Sequence, residues 1–275
     1  MMRWIGMVLG LLGTLSGGVR ALPITDQELA GLDWHYTQDP GNDAASSNGN
    51  SFFTYGMGHA ISGGYLYVVV QTNFPEMGAL GGDSYTYNTH FSPGDLYINV
   101  GGTFQNGGGS IYGIATTSHA NVVQQAYSGQ VWQSMIAGRL YSDPTFATGT
   151  YEQYQHTHPS FAPDDGDGNN RINSYPTLMM GGTLVDGDVS GVRYRANTTD
   201  PWAYDIYYKI SLASLGINMV VPETALQLFW VMECGNDGVQ NITEPVGRAI
   251  PEPGTVALLL AGVTALAAER RRRHA

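Results

Sequence analysis

Gly64-Tyr-Leu-Tyr-Val-Val-Val-Gln-Thr72 is the stretch on which the fold turns. Side chains on a strand alternate between two faces, and here both faces are apolar. A strand that is apolar on both sides is covered on both sides, so this one belongs in the centre of a sheet.

Neighbouring stretches follow the same two-residue period. Asp95-Leu-Tyr-Ile-Asn-Val100 comes after a turn at Ser92-Pro93-Gly94, and Ser110 to Thr117 reads as its hairpin partner across the loop Gly101 to Gly109. Tyr204, Ile206, Tyr208 and Ile210 share one face, with Asp205 and Lys209 on the other. From Leu226 to Cys234, Leu228, Trp230, Met232 and Cys234 line one face; Phe229 and Val231 share the opposite one with Gln227 and Glu233. Helix is scarce: one short segment over Asp26 to Leu32, and a single turn over Leu212 to Gly216 stopped by the glycine. Tyr141 to Pro176 is poor in apolar residues and reads as a long excursion over one end of the sheets.

Composition agrees. The chain has 37 Gly, 17 Tyr and only 13% charged residues, which suits short strands and tight turns better than long surface helices. No repeat of solenoid period is visible. Evenly spaced strands with turn signals predict an all-β fold: an antiparallel β-sandwich, jelly-roll or carbohydrate-binding-like, with long loops. Cys234 is the sole cysteine and sits in an apolar alternating stretch, so it reads as buried and inert, and no intrachain disulfide can form.

The ends differ from the middle. Arg3 followed by the apolar Trp4 to Leu15 and by Val19-Arg20-Ala21 reads as a signal peptide over residues 1–21, with an uncleaved anchor as the alternative. At the other end Pro251-Glu252-Pro253-Gly254 precedes an apolar run, Thr255 to Ala268, and then Arg270, Arg271, Arg272 and Arg273. Those 14 apolar residues would reach roughly 21 Å as a helix, against a bilayer core about 30 Å thick. The run is a marginal span, and the arginines favour the cytoplasmic side. An amphipathic or core helix is the competing reading, but apolar residues surround the whole run and the charge is bunched at one end.

The exported body is therefore expected to be residues 22–249. It carries six Lys+Arg (Arg139, Arg171, Arg193, Arg195, Lys209 and Arg248) against 21 Asp+Glu, a formal charge of −15. Such a body repels nucleic acid and anionic headgroups, which excludes both as partners, and it can recruit divalent cations.

This tripartite tail, residues 250–275, resembles the PEP-CTERM sorting signal. The resemblance implies a signal peptidase and an exosortase as processing partners and cleavage near Pro251-Glu252-Pro253. It also implies a transient hold on the inner membrane, then delivery to the surface or extracellular matrix of a Gram-negative, exopolysaccharide-making bacterium. Asp33-Trp-His-Tyr36, Gly94-Asp-Leu-Tyr-Ile-Asn99 and Trp230 to Gly238 resemble segments of a group of exosortase-dependent surface proteins with no assigned activity, which makes Asp33 and Asp95 further candidates for a site. Tyr204 to Gly216, a strand running into a turn that ends Leu-Gly, resembles sugar-binding sandwiches of the family-9 carbohydrate-binding and DOMON type.

Candidate chemistry is thin. In Asp164 to Asn170, the oxygen ligands Asp165, Asp167 and Asn169 alternate as a calcium loop requires, although the full EF-hand pattern is missing and an ordinary acidic turn has the same composition. Glu233, Asn236 and Asp237 close a strand and read either as an Asx turn or as a ligand or calcium site at the sandwich rim. His156 and His158 lack a third metal ligand nearby. Nucleophile elbow, zinc-protease helix, phosphate loop and cysteine pair are all missing, although paired carboxylates can assemble from distant strands. Asn197-Thr-Thr and Asn241-Ile-Thr match the glycosylation acceptor pattern, which carries little weight because the tail resemblance implies a bacterium. Tyr and Trp are numerous enough to form a stacking platform for sugar rings, although most are expected in the core.

The function expected from the sequence is a non-enzymatic surface or matrix protein, structural or adhesive, binding exopolysaccharide. A secreted enzyme acting on that polymer and a calcium-dependent adhesion module are the alternatives.

Overall fold

The structure, a computed structural model, describes residues 23–39, 52–81, 90–104, 108–120, 132–148, 176–217, 224–235 and 237–243. They form one short helix, α1 (Asp26–Ala30), and thirteen strands: β1 (His35–Gln38), β2 (Thr54–Ser62), β3 (Tyr65–Thr72), β4 (Ala79–Leu80), β5 (His90–Phe91), β6 (Leu96–Val100), β7 (Ser110–Ile114), β8 (Leu140–Thr148), β9 (Pro176–Leu184), β10 (Gly191–Ala196), β11 (Tyr204–Ser211), β12 (Leu226–Val231) and β13 (Gly238–Ile242). Five strands make the first sheet, in the order β1-β2-β3-β11-β10. Six make the second, β13-β12-β6-β7-β8-β9, and β4 pairs with β5 separately. Every pairing is antiparallel.

The doubly apolar stretch is β3, the middle strand of the first sheet. Its Leu66, Val68 and Val70 point inward and meet Met57 of β2 and Ile206, Tyr208 and Ile210 of β11. The second sheet contributes Leu96, Ile98, Ile114, Leu228 and Trp230 to the same core. The two sheets thus pack face to face, and each fully buried Leu or Ile is worth about 1.5–3 kcal/mol. Met232 and Cys234 continue the inward face of β12 into this core, and Cys234 is a buried free thiol.

β6 and β7 form the expected hairpin, in register Leu96↔Ile114 to Val100↔Ser110. Gly94, just before β6, is where the sheets and turn crowd most. Its carbonyl accepts hydrogen bonds from the Trp230 indole (2.8 Å) and the Thr116 hydroxyl (2.5 Å). A Cβ at Gly94 would fall 1.5 Å from the Val231 carbonyl oxygen, so the backbones can approach this closely only over glycine.

The long excursion is shorter than the sequence suggested. Tyr141 to Thr148 belong to β8, which pairs with β7 on one side and β9 on the other. The Asp-Pro within it looks like a turn, but the register with β9 shifts between Ser142 and Thr145. This irregularity accommodates a proline that cannot donate to a ladder and Asp143 at φ +48°. Among the described residues no helix is long and apolar enough to cross a membrane.

Candidate functional site

The outward face of the first sheet is built from cross-strand rows fixed by register. One runs Tyr36–Gly58–Val69–Tyr207–Arg193, the next Gln38–Gly56–Gln71–Asp205–Arg195. A third begins Ala60–Tyr67–Lys209. Since these residues alternate with the core-facing set, the fold places them on the opposite side.

α1 closes one end of this face. Thr25 caps it, its hydroxyl accepting from the Glu28 amide at 3.2 Å. Ile24 and Leu29 pack on Ala60, Tyr67, Val69 and Tyr207. Glu28 receives hydrogen bonds from Lys209 (2.6 Å) and the Tyr67 hydroxyl (2.5 Å). Burial works against the Glu28 carboxylate, yet these two donors hold it below the usual range. Burial and the Glu28 charge together push the Tyr67 phenol well up. Lys209 also lies over the Tyr65 ring, 4.5 Å from its centroid.

The other end is open. Tyr36 is 52% exposed and its ring lies over Gly58: a Cβ there would sit 2.6 Å and 2.9 Å from two of its ring carbons. Trp34 bridges Tyr36 and Tyr207, 6.1 Å between centroids in each case. Beyond Gly56, where a bulge separates Thr54 and Gly56 in the pairing with β3, the Tyr55 ring lies tilted against Trp202, 5.9 Å between centroids. Asp205 ties the floor together. It accepts from Arg195 (2.6 Å), the Trp202 indole (2.8 Å) and Asn197 (3.4 Å). The Arg195 guanidinium stacks 4.9 Å over Tyr207 and pairs with Asp26 at 3.6 Å; Arg193 meets the same carboxylate at 3.0 Å. The hydrogen bond from Arg193 lowers the Asp26 pKa.

A second polar group lies inside. Asp95, fully buried, accepts from the Thr116 amide (2.9 Å) and the Met179 amide (2.8 Å) and lies 3.4 Å from His119 Nε2. Both nitrogens of that imidazole face oxygens, those of Thr117 (2.9 Å) and Met179 (3.0 Å). Burial raises the Asp95 pKa to about 6 despite His119 and the two amides.

Glu233 and Asp237 are also buried, not open to solvent. Glu233 accepts from the Ser92 amide at 2.8 Å, locking the end of β12 to the turn before β6. Asp237 accepts from the Thr54 amide at 2.6 Å and so ties the start of β2 to the start of β13 across the two sheets. Asp33 is exposed just before β1. Asn197 and Asn241 both commit their amide groups: Asn197 to an Asx turn with Thr199 and Asp200, Asn241 to His59 and the Met57 carbonyl. Asn236, the loop residues Asp165, Asp167, Asn169, His156 and His158, and the tail residues Pro251 to Gly254 and Arg270 to Arg273 lie outside the described residues. Among the described residues, no group of three His, Cys, Asp or Glu is placed to hold a metal ion.

The sequence did not single out Tyr36, Trp34, Trp202 or Arg195. The signal was the glycine alternation Gly56-Met-Gly58, which leaves an outward strip without side chains for an aromatic ring to cover. The chain is thus an all-β protein of antiparallel sheets with an aromatic outer face. Comparison with protein-family models, curated proteins and solved structures found no match to it.

Proposed function

We propose that this is a non-enzymatic protein of the bacterial surface or extracellular matrix, exported by its leader and sorted through its PEP-CTERM-like tail by an exosortase. Its role is structural or adhesive, in contact with matrix polysaccharide, and the carbohydrate-binding-like form of the sandwich belongs to this proposal.

The observation that carries the structural side is how the buried carboxylates are spent. Asp95, Asp188, Glu233 and Asp237 each accept backbone amides from a distant segment: Thr116 and Met179, Leu140, Ser92, and Thr54 respectively. With a single cysteine, these buried carboxyl clamps fasten loops and sheets where an exported domain often uses disulfides. The marginal length of the apolar tail suits a tether that is handed to a processing enzyme.

Fractionation of the producing cells with intact-mass spectrometry tests the reading. The expected result is an extracellular form that has lost both the leader and the residues after the Pro251-Glu252-Pro253 region. Recovery of the full-length chain from the cytosol would overturn it.

A further inference from the structure

We infer that the open end of the first sheet's outer face, around Tyr36 and Trp202, binds a neutral polysaccharide through ring stacking; this rests on the reading above that the protein meets matrix polysaccharide.

Sugar rings offer apolar C–H faces bordered by hydroxyls, and the surfaces that recognise them offer flat aromatic rings bordered by fixed polar groups. Tyr36 meets the first requirement. It is 52% exposed, and its inner side is held against Gly58 and beside Trp34. Trp202 supplies a second, partly exposed ring, fixed by its tilted contact with Tyr55 and by its indole hydrogen bond to Asp205. Gly56 and the partly exposed Gln71 lie in the row beyond Gly58, so the floor is low and has an amide for hydroxyls. Little ordering is needed on binding, because the rings are already pinned.

Charge selects a neutral polymer. Arg193, Arg195 and Lys209 are three of the six basic residues in 22–249, and all three stand on this face. Asp26, Glu28 and Asp205 pair with them one for one. Asp200, exposed beside them, also acts on Tyr36 and leaves the patch slightly negative on a body of charge −15, so both repel a polyanion while leaving an uncharged chain free to approach.

Affinity electrophoresis of the full-length protein tests this, through gels containing hydroxyethyl cellulose, dextran or galactomannan as neutral polymers and alginate as a polyanion. We expect retardation by at least one neutral polymer and none by alginate. Tyr36→Ala should weaken that retardation about tenfold, equivalent to ~1.4 kcal/mol, with Met77→Ala, 84% exposed elsewhere, as an unchanged control. Thermal melts establish that the variants fold, and Tyr36→Leu, which keeps apolar cover on Gly58 without a flat ring, serves if the alanine variant does not. Equal retardation of wild type and both Tyr36 variants overturns this site while leaving the polysaccharide reading standing. No retardation of wild type by any neutral polymer overturns the inference, and if alginate also fails, the polysaccharide part of the proposed function falls with it. Retardation by alginate alone overturns the neutral class. A change of oligomeric state in Tyr36→Ala, in place of lost retardation, makes the face a self-contact and overturns the inference too.

Discussion

Asp95 shows what a single buried carboxylate does in this core. It gathers amides from the segment after β7 and from β9, with His119 alongside, so three stretches distant in sequence meet at one side chain. Taking it out of water nonetheless raises its pKa from 3.8 to about 6. A carboxyl with a raised folded pKa contributes stability that is fully present below the unfolded value, near 3.8, and that is lost as pH rises through about 6. Asparagine at 95 carries no such titration. The unfolding free energy of wild type relative to Asp95→Asn is therefore expected to fall by roughly 2 kcal/mol between pH 4 and pH 7, measured by urea denaturation at both. Parallel pH profiles for the two proteins would mean that Asp95 does not titrate in this window. Nothing local predicted this role. The resemblance marked Asp95 as a site candidate, but its role as a buried clamp was not legible along the chain, because its partners lie 21 and 84 residues away.

At the scale of the element, α1 is too short to persist alone. Its five residues are held by Leu29 under the sheet's outer face and by the Glu28 latch to Lys209 and Tyr67. Glu28→Ala leaves Lys209, 7% exposed, without that carboxylate. A loss of about 2–3 kcal/mol is expected, below the full penalty for a buried pair because Glu28 is partly exposed. The latch has a pH sign opposite to that of Asp95. The folded pKa of Glu28 is depressed, so its contribution is present above the ordinary carboxylate range and fades as pH falls through the folded value. Urea denaturation gives the size of the loss, and faster proteolysis of the segment before β1 in Glu28→Ala is the specific readout; unchanged cleavage there would show that the apolar contacts suffice. Elements of this kind were unequally legible in the sequence. β3 announced itself by being apolar on both faces, and β6, β7, β11 and β12 by their two-residue alternation. β2 did not, since Gly56 and Gly58 leave its outer side without side chains to mark a strand; the purpose of Gly58 is visible only once Tyr36 lies across it. β8 was hidden by Asp143-Pro144, whose turn-like pair is absorbed by a register shift. The aromatic face was missed for a related reason: it joins β1, β2 and β11 through pairings between distant segments, and no window along the chain contains it.

Across the whole molecule, two opposite tendencies meet. The net −15 charge over residues 22–249 favours water and disfavours anionic surfaces, whereas the proposed tail draws the chain to a membrane. The balance rests on length. Fourteen apolar residues reach roughly 21 Å as a helix, about 9 Å short of the hydrocarbon core, and only snorkelling arginines and a thinned bilayer close the gap. A tether under that mismatch is easily passed to a processing enzyme and hard to keep. Six leucines inserted after Leu260 would bring the run to about 30 Å and remove the mismatch. In the producing organism this insertion is expected to move the protein from the extracellular fraction to a membrane-bound, full-length form, read by fractionation and intact mass. Replacing Arg270 to Arg273 with serine should act through the other term, loosening the cytoplasmic hold without lengthening the run. If the lengthened tail were cut and released as efficiently as the natural one, marginal length would have no part in sorting, and recognition of the Pro251-Glu252-Pro253 segment would have to account for release without it.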